Sequence, residues 1–139
     1  MSSSSSSGYM LFSAGGHRYA VSVDSVDEIA EMLPEYPIPG APRFIRGAVN
    51  IHGKIAVLLD ISMFLGRGPL QQGRNMLLLR VPGASLALLV EQMERIAYDT
   101  DIIQDESSVT GACLQLADGS ALLINADTLV ESLEKAIAL

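Results

Sequence analysis

The chain is short of nearly everything that chemistry at an active site requires. It has no tryptophan, one cysteine and two histidines, and only 18% of its residues are charged. Cys113 alone cannot form an internal disulfide, which suits a reducing cytoplasm, and its apolar surroundings read as those of a small buried hydrophobe. His17, His52 and Cys113 have no metal-ligand spacing. Asp99-Thr100-Asp101 lacks the glycine that an aspartic-protease triplet needs, and Asp105-Glu106-Ser107-Ser108 reads as a polar loop. Gly15-Gly16 and Gly66-Arg67-Gly68 match no phosphate-binding loop that opens a helix. These absences argue against an enzyme, a metal and a bound cofactor. No apolar run approaches the ~20 residues of a membrane span. The serine-rich start, residues 1–8, has neither basic nor apolar segment, so it reads as a disordered tail rather than a secretory signal.

What is present is a packed, acidic domain. Nearly half the 139 residues are apolar, enough for one domain, or two small lobes sharing a core, over residues 9–139. A net charge of −7 disfavours nucleic acid and anionic membranes as partners. The charge is uneven. Between Tyr36 and Leu59 there is no acid, only Arg43, Arg46 and Lys54, whereas Asp24, Asp27, Glu28, Glu31, Glu35 and Asp60 surround that stretch. A locally positive face on an acidic protein helps to orient a protein partner.

The chain also repeats itself. Shifted by 67 residues, Phe12–Ala30 lies over Leu79–Ala97 without a gap, with Gly16/Gly83, Ala20/Ala87, Val23/Val90, Ile29/Ile96 and Ala30/Ala97 identical. The repeat continues loosely, giving two intertwined units of about 9–66 and 76–131. Each unit reads as a strand, a glycine turn, a second strand, a tight turn, a strand opening at Ile29 or Ile96, then a loop, a hairpin and a helix. Tyr19, Val21 and Val23 alternate along one face. The first hairpin is expected to turn at Gly53-Lys54 and the second at Asp118-Gly119. Leu129, Val130, Leu133 and Ile137 form a helical stripe over Ala126–Leu139, capped by Asn125 or Asp127. Short strands with glycine turns point to small barrels.

The most specific stretch is Pro37-Ile-Pro-Gly-Ala-Pro-Arg-Phe-Ile-Arg-Gly-Ala-Val-Asn-Ile-His-Gly-Lys54, followed by an apolar strand, Asp60 and a short amphipathic turn. Its three prolines exclude helix. In that order it closely resembles the CheW-like family, scaffold proteins that couple chemoreceptors to the histidine kinase CheA. The resemblance covers roughly Met10 to Leu133 and is strongest from Pro37 to Asp60. It implies an all-β fold with short helices: two SH3-like five-stranded β-barrel lobes packed on a shared hydrophobic core, with a C-terminal helix.

The resemblance also implies a cytoplasmic, non-catalytic scaffold recruited to membrane-associated receptor arrays. Its partners would be the regulatory domain of a CheA-type kinase and the cytoplasmic tip of a chemoreceptor. Val26 and Ile29 match positions linked to the receptor groove, and Gly47 and Gly53 match glycines whose backbones a side chain would obstruct. Glu28 matches an acid associated with an arginine, and that arginine is His52 here. Each position also has a plain reading as core packing, turn geometry or a solvated acid. An imidazole offers at most two donors and is charged only below about pH 6.5, whereas a guanidinium keeps a permanent planar fork. Contact that needs this charge is therefore expected to strengthen on acidification. The alternatives are a homologue serving a non-chemotactic pathway, such as pilus motility or a second-messenger system, or an excised kinase regulatory domain.

Overall fold

A computed structural model of the protein describes residues 8–70, 72–98, 101–104 and 112–137. The serines of the tail, Asp99, Thr100 and Asp105–Ser108 lie outside the described residues. Gly8 is buried, and its carbonyl accepts the Val23 amide at 3.0 Å.

The first half contributes β1 (Tyr9–Ala14), β2 (His17–Ser22), a 3₁₀ turn (Val23–Ser25), β3 (Val26–Glu31), β4 (Ile45–Ile51), β5 (Lys54–Leu59) and α1 (Ile61–Phe64). The second contributes β6 (Asn75–Val81), β7 (Ala84–Val90), β8 (Gln92–Ala97), β9 (Asp101–Gln104), β10 (Ala112–Leu116), β11 (Gly119–Ile124) and α2 (Ala126–Ile137). One sheet has the order β8-β1-β2-β11-β10-β9 and the other β3-β6-β7-β5-β4. The fold is the expected two-lobed all-β architecture. The lobes differ by one strand: β9 flanks β10, whereas the matching place beside β4 holds only an isolated bridge from Tyr36 to Ala48.

Neither sheet belongs to one half of the chain. β1 and β2 are completed by β8 to β11, and β6 and β7 by β3 to β5. Parallel pairs, β2 with β11 and β5 with β7, stitch the exchanged segments together.

The second sheet must curl. β3 and β4 are its opposite edges, yet five residues after Glu31 the chain is bonded outside β4 at Tyr36. Five extended residues reach ~18 Å at most, whereas five strand spacings across a flat sheet measure ~24 Å. The edges are therefore drawn together into a barrel.

Burial follows from this arrangement. Met76–Leu79 and Leu86–Val90 are buried at every position, one face of each strand lining its barrel and the other turned to neighbouring structure. The main core joins Phe12, Tyr19 and Val21 to Leu58, Leu77, Leu88, Leu129 and Leu133, and a smaller cluster holds Leu11, Ala20, Ala97, Leu114 and Ala121. Val23 has left the strand for the 3₁₀ turn and is only half-buried, and Cys113 is half-buried rather than fully enclosed.

Side chains fix the helix starts. The buried Asp60 accepts the Met63 amide at 3.0 Å, capping α1, and the Leu70 amide at 2.8 Å, tethering the following loop. Asn125 caps α2 by accepting the Thr128 amide at 3.0 Å. Among the described residues, no helix is long and apolar enough to cross a membrane.

Candidate functional site: the edges of the second lobe

The β4–β5 hairpin turns one residue earlier than its sequence suggests. Ile51 pairs with Lys54, so His52 and Gly53 form the two-residue loop. Both have positive φ, 52° and 84°, as the tightest hairpin turns demand. The Asn50 carboxamide accepts the Gly53 amide at 2.8 Å and holds the turn there. The second hairpin shifts likewise: Leu116 pairs with Gly119, which leaves Ala117 and Asp118 as the loop.

This turn brings His52 across the barrel to β3. Its Nε2 lies 2.6 Å from Glu28 Oε2. The imidazole is 78% exposed and the carboxylate 34%. Glu28 and His52 thus meet as the resemblance implies, and Gly53 adjoins them.

The other expected residues lie apart from this pair. β3 begins at Val26, three residues before the expected opening at Ile29, and it carries a bulge between Val26 and Glu28. Val26 opposes Leu79 and Ile29 opposes Leu77, so the extra residue sets both on one face although they are three positions apart. Val26 is half-buried against the main core, whereas Ile29 is 41% exposed. β8 repeats the device: Met93 opposes Phe12 and Ile96 opposes Met10. Gly47 sits on β4 beneath Tyr36, where a Cβ would come within 2.6 Å of the Tyr36 carbonyl oxygen. Around Gly53 there is open space, so its turn conformation, not crowding, calls for glycine.

The other lobe is clasped at the matching place by different chemistry. Arg18 contacts Asp118 at 3.1 Å and Glu94 at 3.0 Å, and Arg95 approaches Asp118 at 3.6 Å, tying the β10–β11 turn to β8. The hydrogen bond from Arg18 holds the Asp118 carboxyl below the usual range and raises the Arg18 pKa in return. Back in the second lobe, Asp27 pairs with Arg80 at 3.4 Å and Glu35 with Arg46 at 3.2 Å. Among the described residues, no cluster of potential ligands could hold a metal ion.

Sequence reasoning missed Tyr36 and Ile55, which are 61% and 63% exposed. Ile55 lay in an apolar run that reads as core, and a one-residue bridge such as that of Tyr36 leaves no periodic signal.

The fold and these exposed contacts define a small, two-lobed all-β module. Residues 8–134 match the CheW-like domain, and the chain belongs to the CheW-like family. A probable chemotaxis protein CheW of Rhizobium etli is 26% identical over 108 residues, which are 76% of this chain and 63% of that protein. The chemotaxis protein CheW of Rhizobium meliloti is 32% identical over 57 residues, which are 41% of this chain and 37% of that protein. The chain thus spans less than two thirds of the length of either relative. The crystal structure of the scaffolding protein TtCheW from Thermoanaerobacter tengcongensis shares the fold, with a TM-score of 0.77 over 86% of this chain and 89% of that one, at 19% identity.

Proposed function

We propose that this chain is a non-catalytic adaptor of chemotaxis signalling that couples chemoreceptor tips to a CheA-type histidine kinase in the cytoplasm. The observation that carries the reading is the match to the CheW-like domain across residues 8–134, nearly the whole chain. The site geometry supports a division of labour. Val26 and Ile29, set on one face by the bulge, serve the receptor tip. Glu28, His52, Gly53 and Gly47, on and around the β4–β5 hairpin, serve the kinase regulatory domain. Residues 9–139 act as one unit, because strands of the two repeats complete each other's sheets.

The test is a pull-down with the regulatory domains of the organism's CheA-type kinases and with fragments of its receptor tips. Retention of one kinase domain and one receptor class is expected. Retention of neither overturns the reading, and retention of partners from a pilus or second-messenger pathway alone reassigns the pathway.

A further inference from the structure

We infer that residues 60–70, which leave β5 and form α1, are a strap by which the second lobe holds the first at one relative position, and that Gly15, Ser62 and Arg67 are positioning residues for the receptor face. The chain crosses between the two sheets at Val23–Ser25 and at Glu91. Both crossings are bonded beside opposite ends of β1. The Val23 amide donates to the Gly8 carbonyl at 3.0 Å, and the Glu91 amide to the Ser13 carbonyl at 2.9 Å. Two joints along one strand leave rotation about its line to be fixed by packing. The core shared by the lobes is apolar, and its attraction is non-directional. The strap supplies a third, directional tie to one side of that line.

The strap is anchored in its own lobe. The Asp60 carboxylate accepts the Leu70 amide at 2.8 Å, and Arg46 of β4 donates to the Leu70 carbonyl at 3.3 Å. It meets the first lobe at two points. Ser62 is fully buried against the β1–β2 turn, where a Cβ on Gly15 would come within 2.2 Å of Ser62 Oγ and 2.9 Å of Ser62 Cβ. Among the described residues the buried Ser62 hydroxyl has no hydrogen-bond partner, so its side chain is seated by fit rather than by a bond. Arg67 reaches the buried Tyr19 of β2, donating to its hydroxyl at 3.2 Å with the guanidinium carbon 5.5 Å from the ring centre. Burial raises the Tyr19 pKa above its ordinary value, against the pull of Arg67, so the phenol meets the guanidinium as a neutral acceptor. The receptor face borders this joint. Val26 opens β3 directly after the Val23–Ser25 crossing, and its neighbour Asp27 pairs with Arg80. Arg80 and Ser25 share an inter-lobe cavity of about 260 Å³ with Tyr9, Ser22 and Leu123 of the first lobe. A shift of one lobe therefore reshapes the surroundings of Val26, whereas Glu28 and the β4–β5 hairpin lie wholly within the second lobe. The positioning role rests on the receptor reading above, and the strap itself does not.

The experiment measures the relative orientation of the two sheets in the full chain by NMR residual dipolar couplings, beside titrations with a receptor-tip fragment and a kinase regulatory domain. Gly15→Ala should rotate one sheet against the other and bind the receptor fragment at least about fivefold more weakly, with kinase-domain affinity unchanged. Gly16→Ala is the control. Gly16 sits in the same turn, at φ 81° against 60° for Gly15, but a Cβ there meets nothing within 4 Å. This variant carries the backbone strain without the collision and should keep the wild-type orientation and affinity. Adding Ser62→Gly to Gly15→Ala should restore both. Arg67→Gln, which crowds nothing, should loosen the first lobe, and it decides the matter where Gly15→Ala does not fold. Sheets that keep the wild-type orientation in Gly15→Ala and Arg67→Gln would refute the strap. A changed orientation with receptor affinity intact would refute the positioning role and leave the receptor reading standing. A wild type that binds no receptor fragment would overturn that reading and the positioning role together, and the orientation data would still decide the strap.

Discussion

His52 holds a left-handed backbone, φ 52°, and reaches Glu28 from there. Asparagine and histidine tolerate this conformation better than most residues, whereas alanine is strained by about 1 kcal/mol or more. His52→Asn, which creates an Asn-Gly turn, should therefore melt at or above the wild-type temperature, and His52→Ala should melt lower. Equal melting of both variants would contradict the turn assignment. A second prediction concerns charge. Nε2 of His52 faces the Glu28 carboxylate, where an arginine would bring a permanent charge and a planar fork of donors. His52→Arg should bind the kinase regulatory domain more tightly than His52→Ala, and equal affinity would show that the charge plays no part. The meeting of Glu28 and His52 was legible only through the family resemblance, because 24 residues and a barrel closure separate them. Nothing in local periodicity reports such a contact.

The bulges in β3 and β8 explain what the sequence hid at the level of elements. A strand alternates with period two, but Val26 and Ile29, like Met93 and Ile96, share a face at spacing three. That spacing masked the strand starts and moved their apparent beginning to the isoleucines. Met76–Leu79 likewise shows no alternation, because both faces are covered. β2 was easier to read, since Tyr19 and Val21 fill one face, and the α2 stripe was legible because Leu129 and Leu133 pack at helical spacing. The clasp of the first lobe yields a pH prediction. The Asp118 carboxyl is held below its ordinary value, mainly by the Arg18 hydrogen bond, so its contribution to stability is present above the ordinary carboxylate range and is lost as pH falls through the lowered value. Asp118→Asn should melt below wild type by a constant margin from pH 5 to 8, and the gap should close below about pH 4. A gap that persists in acid would mean that Asp118 acts through turn geometry instead.

At the scale of the molecule, the exchange of strands between repeats dominates. Two units were visible in the sequence as a shift of 67 residues, but which strands pair across them was not, because pairing between units leaves no mark on either one. Removing either half takes at least two strands from each sheet. Fragments 1–70 and 71–139 should therefore each be unfolded alone and regain strand structure when mixed, and the intact chain should unfold in a single cooperative transition. Two separate transitions, or a folded fragment, would contradict the interleaving. The central claim is that one copy of this chain engages a receptor tip and a kinase domain together, and it is tested most directly by sedimentation of the three purified components. A ternary complex is predicted. Ile29→Asp should remove only the receptor fragment and His52→Ala should weaken only the kinase arm. Mutually exclusive binding, or binding of neither partner, would contradict it.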